Sequence, residues 1–260
     1  MMMPSFFIAH GSPMLAMEDN EYTRFLNELG KSMRPRAVIL FSAHWVSAMQ
    51  KVSDIERYGM IYDFMGFPEE LYRIDYPAVG NHGVYDEIQQ AFRQNGVAFQ
   101  SETTRGLDHG SWVVLRLLFP GADIPVIAMS VNPRATPEEQ YKIGQSLASL
   151  RAKGVMVVGS GGTVHNLRAV NFDDDDHIDH WAQDFDEWLE RHLADWDLQS
   201  LFNYDTLAES AHLAVPPYGS EHFIPIFYAM GVADQDRKAS LLHRSYRFGN
   251  LSHSVWKFGL

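Results

Sequence analysis

The chain has 260 residues, a formal net charge of -12 and no cysteine. Its acidity argues against nucleic acid or an anionic membrane as partner. The missing cysteine rules out disulfides, thiolate metal sites, iron–sulfur clusters and cysteine nucleophiles, and fits a reducing, cytoplasmic setting.

The N-terminal stretch lacks the basic flank and long apolar core of a signal peptide, and no apolar run approaches ~18 residues. No linker divides the sequence, so one domain over 1–260 is expected. A first buried strand, Phe6-Phe7-Ile8-Ala9, runs into His10 and the turn Gly11-Ser12-Pro13. Tyr22, Phe25, Leu26 and Leu29 repeat at helical spacing between Asn20 and Met33. Ala37-Val38-Ile39-Leu40-Phe41 then forms an apolar run without alternation, as in a strand covered on both faces. It reaches His44 through the small residues Ser42 and Ala43. A weaker strand is read from Gln50 to Tyr58. Met60 to Pro77 is irregular and aromatic, either a self-packed loop or a wall of an aromatic ligand's pocket.

Asn81 to Gln94 reads as a helix stopped by Asn95-Gly96, and Val97 to Gln100 as a strand. Ser111 is a candidate cap for the apolar helix Trp112 to Phe119. Ile124 to Val131 is a buried strand and Pro137 to Lys153 a helix with proline in its first turn. Gly154 to Val158 is a third buried strand, leading through Gly159-Ser160-Gly161-Gly162 to His165. The acidic run Asp173 to Asp176 is expected to be solvated and to place negative charge at a helix N-terminus. Ile178, Trp181, Phe185, Leu189 and Leu193 mark that helix, with His177, His180 and His192 read as surface residues. Ser220 is expected to cap a last helix through Met230, and Lys238 to Tyr246 and Leu251 to Phe258 to close the chain as strands.

Strands alternating with helices predict a three-layer αβα sandwich around a mostly parallel central sheet. In open α/β sheets, ligands bind outside the carboxyl ends of the strands. Histidines 10, 44 and 165 are delivered to that edge, and neighbouring strands lie close enough for imidazoles to converge on one ion. Spacing makes His10 and His44 a candidate metal pair, and leaves zinc and ferrous iron equally open.

The strings Ala9-His10-Gly11-Ser12-Pro13, Ser42-Ala43-His44-Trp45, Gly106-Leu107-Asp108-His109-Gly110-Ser111-Trp112, Val164-His165-Asn166-Leu167 and Glu221-His222 with Pro225 resemble the class III (LigB-like) extradiol ring-cleavage dioxygenases. Asp63-Phe64, Gly66-Phe67-Pro68 and Leu71-Tyr72 extend the likeness, which is nearest to the 4,5-DOPA extradiol dioxygenase branch. The resemblance implies ring opening of a small aromatic catechol by O2 at one divalent metal ion per chain. Fe(II) is expected for that activity, and a histidine-rich site would also take Zn(II). By motif, His10, His44 and His222 carry over as metal ligands, His165 as a fourth ligand or a neighbour, and His109 as the acid/base residue. Many enzymes of the class complete the site with glutamate, so Glu221 competes with His222 as third ligand. Asp108 is read either as orienting His109 or as a turn residue. The alternatives are a zinc hydrolase with Glu221 as base, and a non-catalytic metal-binding protein. Homo-oligomerisation, the substrate-binding residues and the physiological catechol are left open.

Overall fold

A computed structural model describes residues 2–175 and 177–260. The chain runs β1 (Ser5–Ala9), α1 (Glu21–Lys31), β2 (Ala37–Val46), β3 (Gln50–Ser53), α2 (His82–Gln94), β4 (Phe99–Glu102), α3 (His109–Leu118), β5 (Val126–Val131), α4 (Pro137–Ser146) and β6 (Val155–Gly161). Then follow α5 (His180–Ala194), three short helices α6 (Leu198–Phe202), α7 (Tyr204–Leu207) and α8 (Ala211–Ala214), and α9 (Pro225–Val232). Strands β7 (Ala239–His243), β8 (Tyr246–Arg247), β9 (Leu251–Ser252) and β10 (Val255–Phe258) finish it. Among the described residues, no helix is long and apolar enough to cross a membrane.

The eight-stranded sheet has the order β4-β3-β5-β2-β6-β1-β10-β7. Its middle, β5-β2-β6-β1, is parallel throughout, and antiparallel β10 and β7 extend one side. The unbroken apolar run of β2 is explained by its two covered faces. Val38 and Leu40 pack into one core with Leu26 of α1 and Trp112 of α3, while Ala37, Ile39 and Phe41 pack against α2 and α9. The expected αβα sandwich is therefore the observed architecture.

Several boundaries differ from expectation, each for a local reason. The strand read from Gln50 to Tyr58 ends at Ser53, and that read from Val97 lies at Phe99–Glu102, in register with β3. The helix read from Pro137 to Lys153 is α-helical only to Ser146 and then tightens into a 3-10 segment, Ala148–Lys153. Asp108, not Ser111, caps α3: its carboxylate accepts from the Ser111 amide at 3.0 Å. Ser220 caps nothing; Ser220–His222 is a 3-10 turn, and α9 begins at Pro225, where the missing N–H costs no bond. The acidic run lies outside the first turn of α5, whose N-cap is Asp179. Asp173 to Asp175 are exposed as expected, but Asp175 accepts from Arg247 Nε at 2.7 Å, and Asp176 lies outside the described residues. His177 and His180 are exposed; His192 is half-buried, stacked on Trp188.

Candidate metal centre

The parallel strands end at one edge, and that edge carries the histidines. His10 follows directly on β1. The pairing of β2 with β6 stops at Ser42, and its register with β5 shifts between Phe41 and Val46. Such an irregularity re-aims side chains, here His44. A network fixes the bend: Ser42 donates to Asp108 at 2.6 Å, and Arg105 donates to both the His44 carbonyl and Asp108 at 3.1 Å.

Two glycines let the remaining pieces approach. A Cβ on Gly161 would lie 1.9 Å from the His222 carbonyl oxygen, so only glycine lets the Ser220–His222 turn settle on β6, where the Gly162 amide donates to that carbonyl at 2.8 Å. A Cβ on Gly110 would lie 2.8 Å from His44 Cδ2 and 3.3 Å from His10 Nδ1. Gly161→Ala should therefore destabilise the fold by about 1–3 kcal/mol, the usual cost of overpacking. Urea denaturation measures this; an unchanged midpoint would mean that the His222 turn yields freely.

Ligand atoms of His10, His44 and His222 lie within 4.8 Å of one another. His10 Nε2 and His44 Nε2 face each other at 3.0 Å. The hydroxyl of Ser160 donates to the Gly110 carbonyl, so it can only accept from His10 Nδ1, 3.1 Å away. On the other ring, His44 Nδ1 lies 3.2 Å from the Asp63 carboxylate. Both Nδ1 atoms thus carry their protons outward, and both Nε2 atoms turn lone pairs toward the same point. Two lone pairs repel unless a cation lies between them. A 3.0 Å separation suits two ligands of one ion held at ~2.1 Å each. The buried His222 has no hydrogen bond to either ring nitrogen among the described residues. Glu221 comes within 3.3 Å of its Nδ1 but outside hydrogen-bond geometry. The donor set fits a metal ion, and an outer carboxylate or hydroxyl holding each ring is the usual device of such sites.

Burial pushes His10, His165 and His222 well below the ordinary histidine pKa, and neighbouring imidazoles add to it. Neutral rings are what a metal requires. His165 stacks face to face on His222, with centroids 3.8 Å apart and planes at 4°, and stands outside the three-histidine cluster.

His109 opens α3, its ring centroid 4.0 Å from that of His44. Its partner is Asp63, not Asp108: the Asp63 carboxylate accepts from His109 Nδ1 at 2.9 Å and from the His109 amide at 3.0 Å. An amide at a helix start has no intrahelical acceptor, so the carboxylate also serves as a cap. Burial alone would raise the Asp63 carboxyl, but hydrogen bonds from His109 and His44 outweigh it and hold it well below the usual carboxylate range. For His109, burial lowers the pKa, Asp63 opposes and His44 adds to the lowering. His44, Asp63 and His109 form a second possible ligand group. There, however, both imidazoles turn Nδ1 to the carboxylate, His109 in a hydrogen bond and His44 in a 3.2 Å charge contact, and these account for the geometry.

The histidines line a cavity of about 560 Å³, walled on other sides by Phe67, Val164, Leu167 and Phe172 and by the C-terminal residues Arg247 to His253. The irregular 60–77 stretch is self-packed in one part and reaches the cavity in another. Tyr62, Phe64, Tyr72 and Trp112 pack on one another, while Asp63 and Phe67 reach the cavity. Glu221 is not among the lining residues.

Burial pushes His253 down to about 3. Its folded pKa is below the unfolded 6.5, so between those values only the unfolded chain binds the proton. Its contribution is complete above pH 6.5 and falls by up to ~1.4 kcal/mol per unit below it. Comparing urea midpoints at pH 7.5 and 5.5, His253→Gln should lose less stability on acidification than the parent; an equal loss would contradict this.

Comparison with known proteins agrees with this geometry. The profile of the family described as the catalytic LigB subunit of aromatic ring-opening dioxygenase matches residues 4–259. A 4,5-DOPA dioxygenase extradiol from Beta vulgaris is 37% identical over 259 residues, covering 98% of this chain and 96% of its own. One from Escherichia coli K12 is 36% identical, covering 96% and 92%. The crystal structure of an uncharacterized Escherichia coli K12 protein superposes with a TM-score of 0.85 at 31% identity, covering 99% of this chain and 100% of that one. With a family profile over nearly its whole length and relatives of this identity, the chain belongs to the LigB family of aromatic ring-opening dioxygenases, oxidoreductases of the extradiol type.

Proposed function

We propose that the chain, as one catalytic domain, opens the ring of a catechol-type substrate beside its hydroxyls with O2, using one divalent metal ion held by His10, His44 and His222. The main support is the pair of Nε2 lone pairs meeting at 3.0 Å while both Nδ1 atoms are engaged elsewhere. His165 is a neighbour that packs His222 in place. Bound as Fe(II), the ion supplies Lewis acidity toward the catechol oxygens and the redox chemistry dioxygen requires, which Zn(II) lacks.

The remaining work belongs to side chains. His109 holds its Nδ1 proton against Asp63, leaving Nε2 to take a proton from a catechol hydroxyl and return one as the ring opens. Asp63 fixes the ring orientation and stabilises the imidazolium formed. Its second oxygen reaches His44, so one carboxylate aligns the base and a ligand together. Phe67 and the buried Val164 offer the reacting ring an apolar wall. A hydrolase would need Glu221 as base, yet that carboxylate lies against His222 and lines no part of the cavity.

Oxygen uptake tests the proposal. Protein loaded anaerobically with Fe(II) should consume one O2 per catechol opened, and protein loaded with Zn(II) should consume none. Uptake with neither metal across a catechol panel would overturn the assignment.

A further inference from the structure

The far wall of the cavity holds a polar group that neither the metal cluster nor the proton relay employs. His253, between β9 and β10, is only 4% exposed and lines the cavity. Its backbone is clamped by paired bonds to Ser245, at 2.8 and 3.3 Å. Its imidazole stacks on the buried Tyr22 ring, with centroids 4.7 Å apart and planes at 10°. Among the described residues its hydrogen bonds are those of its backbone, and its ring makes a stacking contact without a polar partner. Stacking satisfies the faces of the ring, not its nitrogens, and neither nitrogen is among the fully buried unpaired atoms, so both remain open to a partner from the cavity side or from solvent.

The ring lies between the metal-site cavity and a shallower outer pocket, and lines both. A Cβ on Gly11 would fall 2.6 Å from His253 Nε2, so this nitrogen rests on the backbone just beyond His10. Gly11 has a φ of +58°, and its lack of a side chain keeps the approach open. Arg247, on the same wall, is held by Glu18 at 2.9 Å and Asp175 at 2.7 Å, with its guanidinium 4.7 Å over Phe248. Burial first, and the Arg247 charge after it, keep His253 from protonating, so the imidazole presents a neutral donor and acceptor at pH 7.

We propose that His253 is the specificity-determining residue of this cavity: its imidazole hydrogen-bonds an oxygen-bearing substituent on the catechol ring while the hydroxyls sit at the histidine cluster. The assignment rests on the dioxygenase reading above. It makes the C-terminal segment, joined to β1 through β10, the wall that chooses among catechols. A substituent without oxygen displaces water from the imidazole and offers no bond in return, a penalty that discriminates more sharply than a missing contact.

Three probes separate the possibilities: 4-methylcatechol, 4-(hydroxymethyl)catechol and 3,4-dihydroxyphenylacetate. For the Fe(II)-loaded protein, kcat/KM should favour both oxygenated probes over the methyl one by roughly tenfold or more. In His253→Phe, which keeps the stacking on Tyr22, that preference should collapse toward unity while 4-methylcatechol turns over within about threefold of the parent. His253→Gln retains a donor and an acceptor and should keep part of the preference, which a merely structural role would not produce. Anaerobic calorimetry of the same probes should show the same change in the ratio of Kd values, without any turnover. An unchanged ratio in His253→Phe, or an equal fall for all three probes, would overturn the proposal and leave the dioxygenase reading standing. Absence of oxygen uptake by the parent with every probe would count against that reading instead, and calorimetry would still decide the role of His253. Should His253→Phe not fold, a parent-like ratio in folded His253→Ser, whose hydroxyl cannot reach the same point, would be equally fatal.

Discussion

His44→Ala, loaded anaerobically with Fe(II), should retain no stoichiometric metal and show no measurable ring opening, while its far-ultraviolet circular dichroism stays that of the parent. His44 is only partly buried and lines the cavity, so truncation removes a proposed ligand without opening the core. His10→Ala should behave alike, because His10 supplies the facing Nε2. A graded effect is expected one step outward. Ser160→Ala removes only the acceptor that holds the His10 proton on Nδ1, and should weaken metal affinity by about 10–100-fold, as loss of an outer partner usually does. The competing cluster of His44, Asp63 and His109 makes the opposite forecast for two variants: there His109→Ala would lose the ion and His10→Ala would keep it. Metal analysis of this small set decides between them, and full occupancy in His10→Ala would sink the three-histidine assignment.

The parts of this centre that depend on the sheet could be read without coordinates. Apolar runs with no alternation must be strands covered on both faces, and His10, His44 and His165 follow such runs at the edge where α/β folds bind ligands. The family strings added His109 and His222, which no periodicity marks. What stayed hidden depends on chain segments meeting far from their neighbours in sequence. Asp63 lies in a stretch without helical or strand spacing and reaches a histidine 46 residues away. Asp108, beside His109, reads equally as its orienting partner or as a turn residue, and as the N-cap it turns its carboxylate into the helix start and toward Ser42. His253 sits in what reads as an ordinary closing strand and Arg247 in the connection before it; the docking of β10 on β1 and the small β8–β9 ladder bring them over the cavity.

Local signals were misread where two residues could do the same job. Asp108 and Ser111 are both good caps, and the hydroxyl of Ser42 tips the choice to Asp108. Pro225 is a better marker of the α9 start than Ser220, since its ring is preorganised for the first helical turn. The acidic run shows a further limit of reading charge alone. Its exposure followed from repulsion, but the pairing of Asp175 with a cavity-lining arginine 72 residues away did not.

His109 should separate chemistry from binding. His109→Ala keeps His10, His44 and His222, the proposed ligands, so it should hold metal and bind catechol anaerobically, while turnover falls by ~10²–10⁴, the usual span for a lost acid–base group. His109→Gln matches the size and can still bond Asp63, yet cannot exchange protons near neutral pH, so it should be nearly as slow. The companion variant Asp63→Asn tests the orienting carboxylate through a different readout. In the parent, burial sets the imidazole below the ordinary histidine range and Asp63 pulls it partway back. The acidic limb of kcat/KM should accordingly lie below pH 6.5, with activity lost as pH falls and the base becomes protonated. Removing the negative charge takes away the upward pull, so in Asp63→Asn the limb should move to still lower pH while the plateau drops. A limb that moves upward, or a plateau unchanged with iron bound, would mean that Asp63 does not act through His109. Loss of metal in His109→Ala would instead make that histidine a ligand, and the proton relay would have to be sought elsewhere in the cavity.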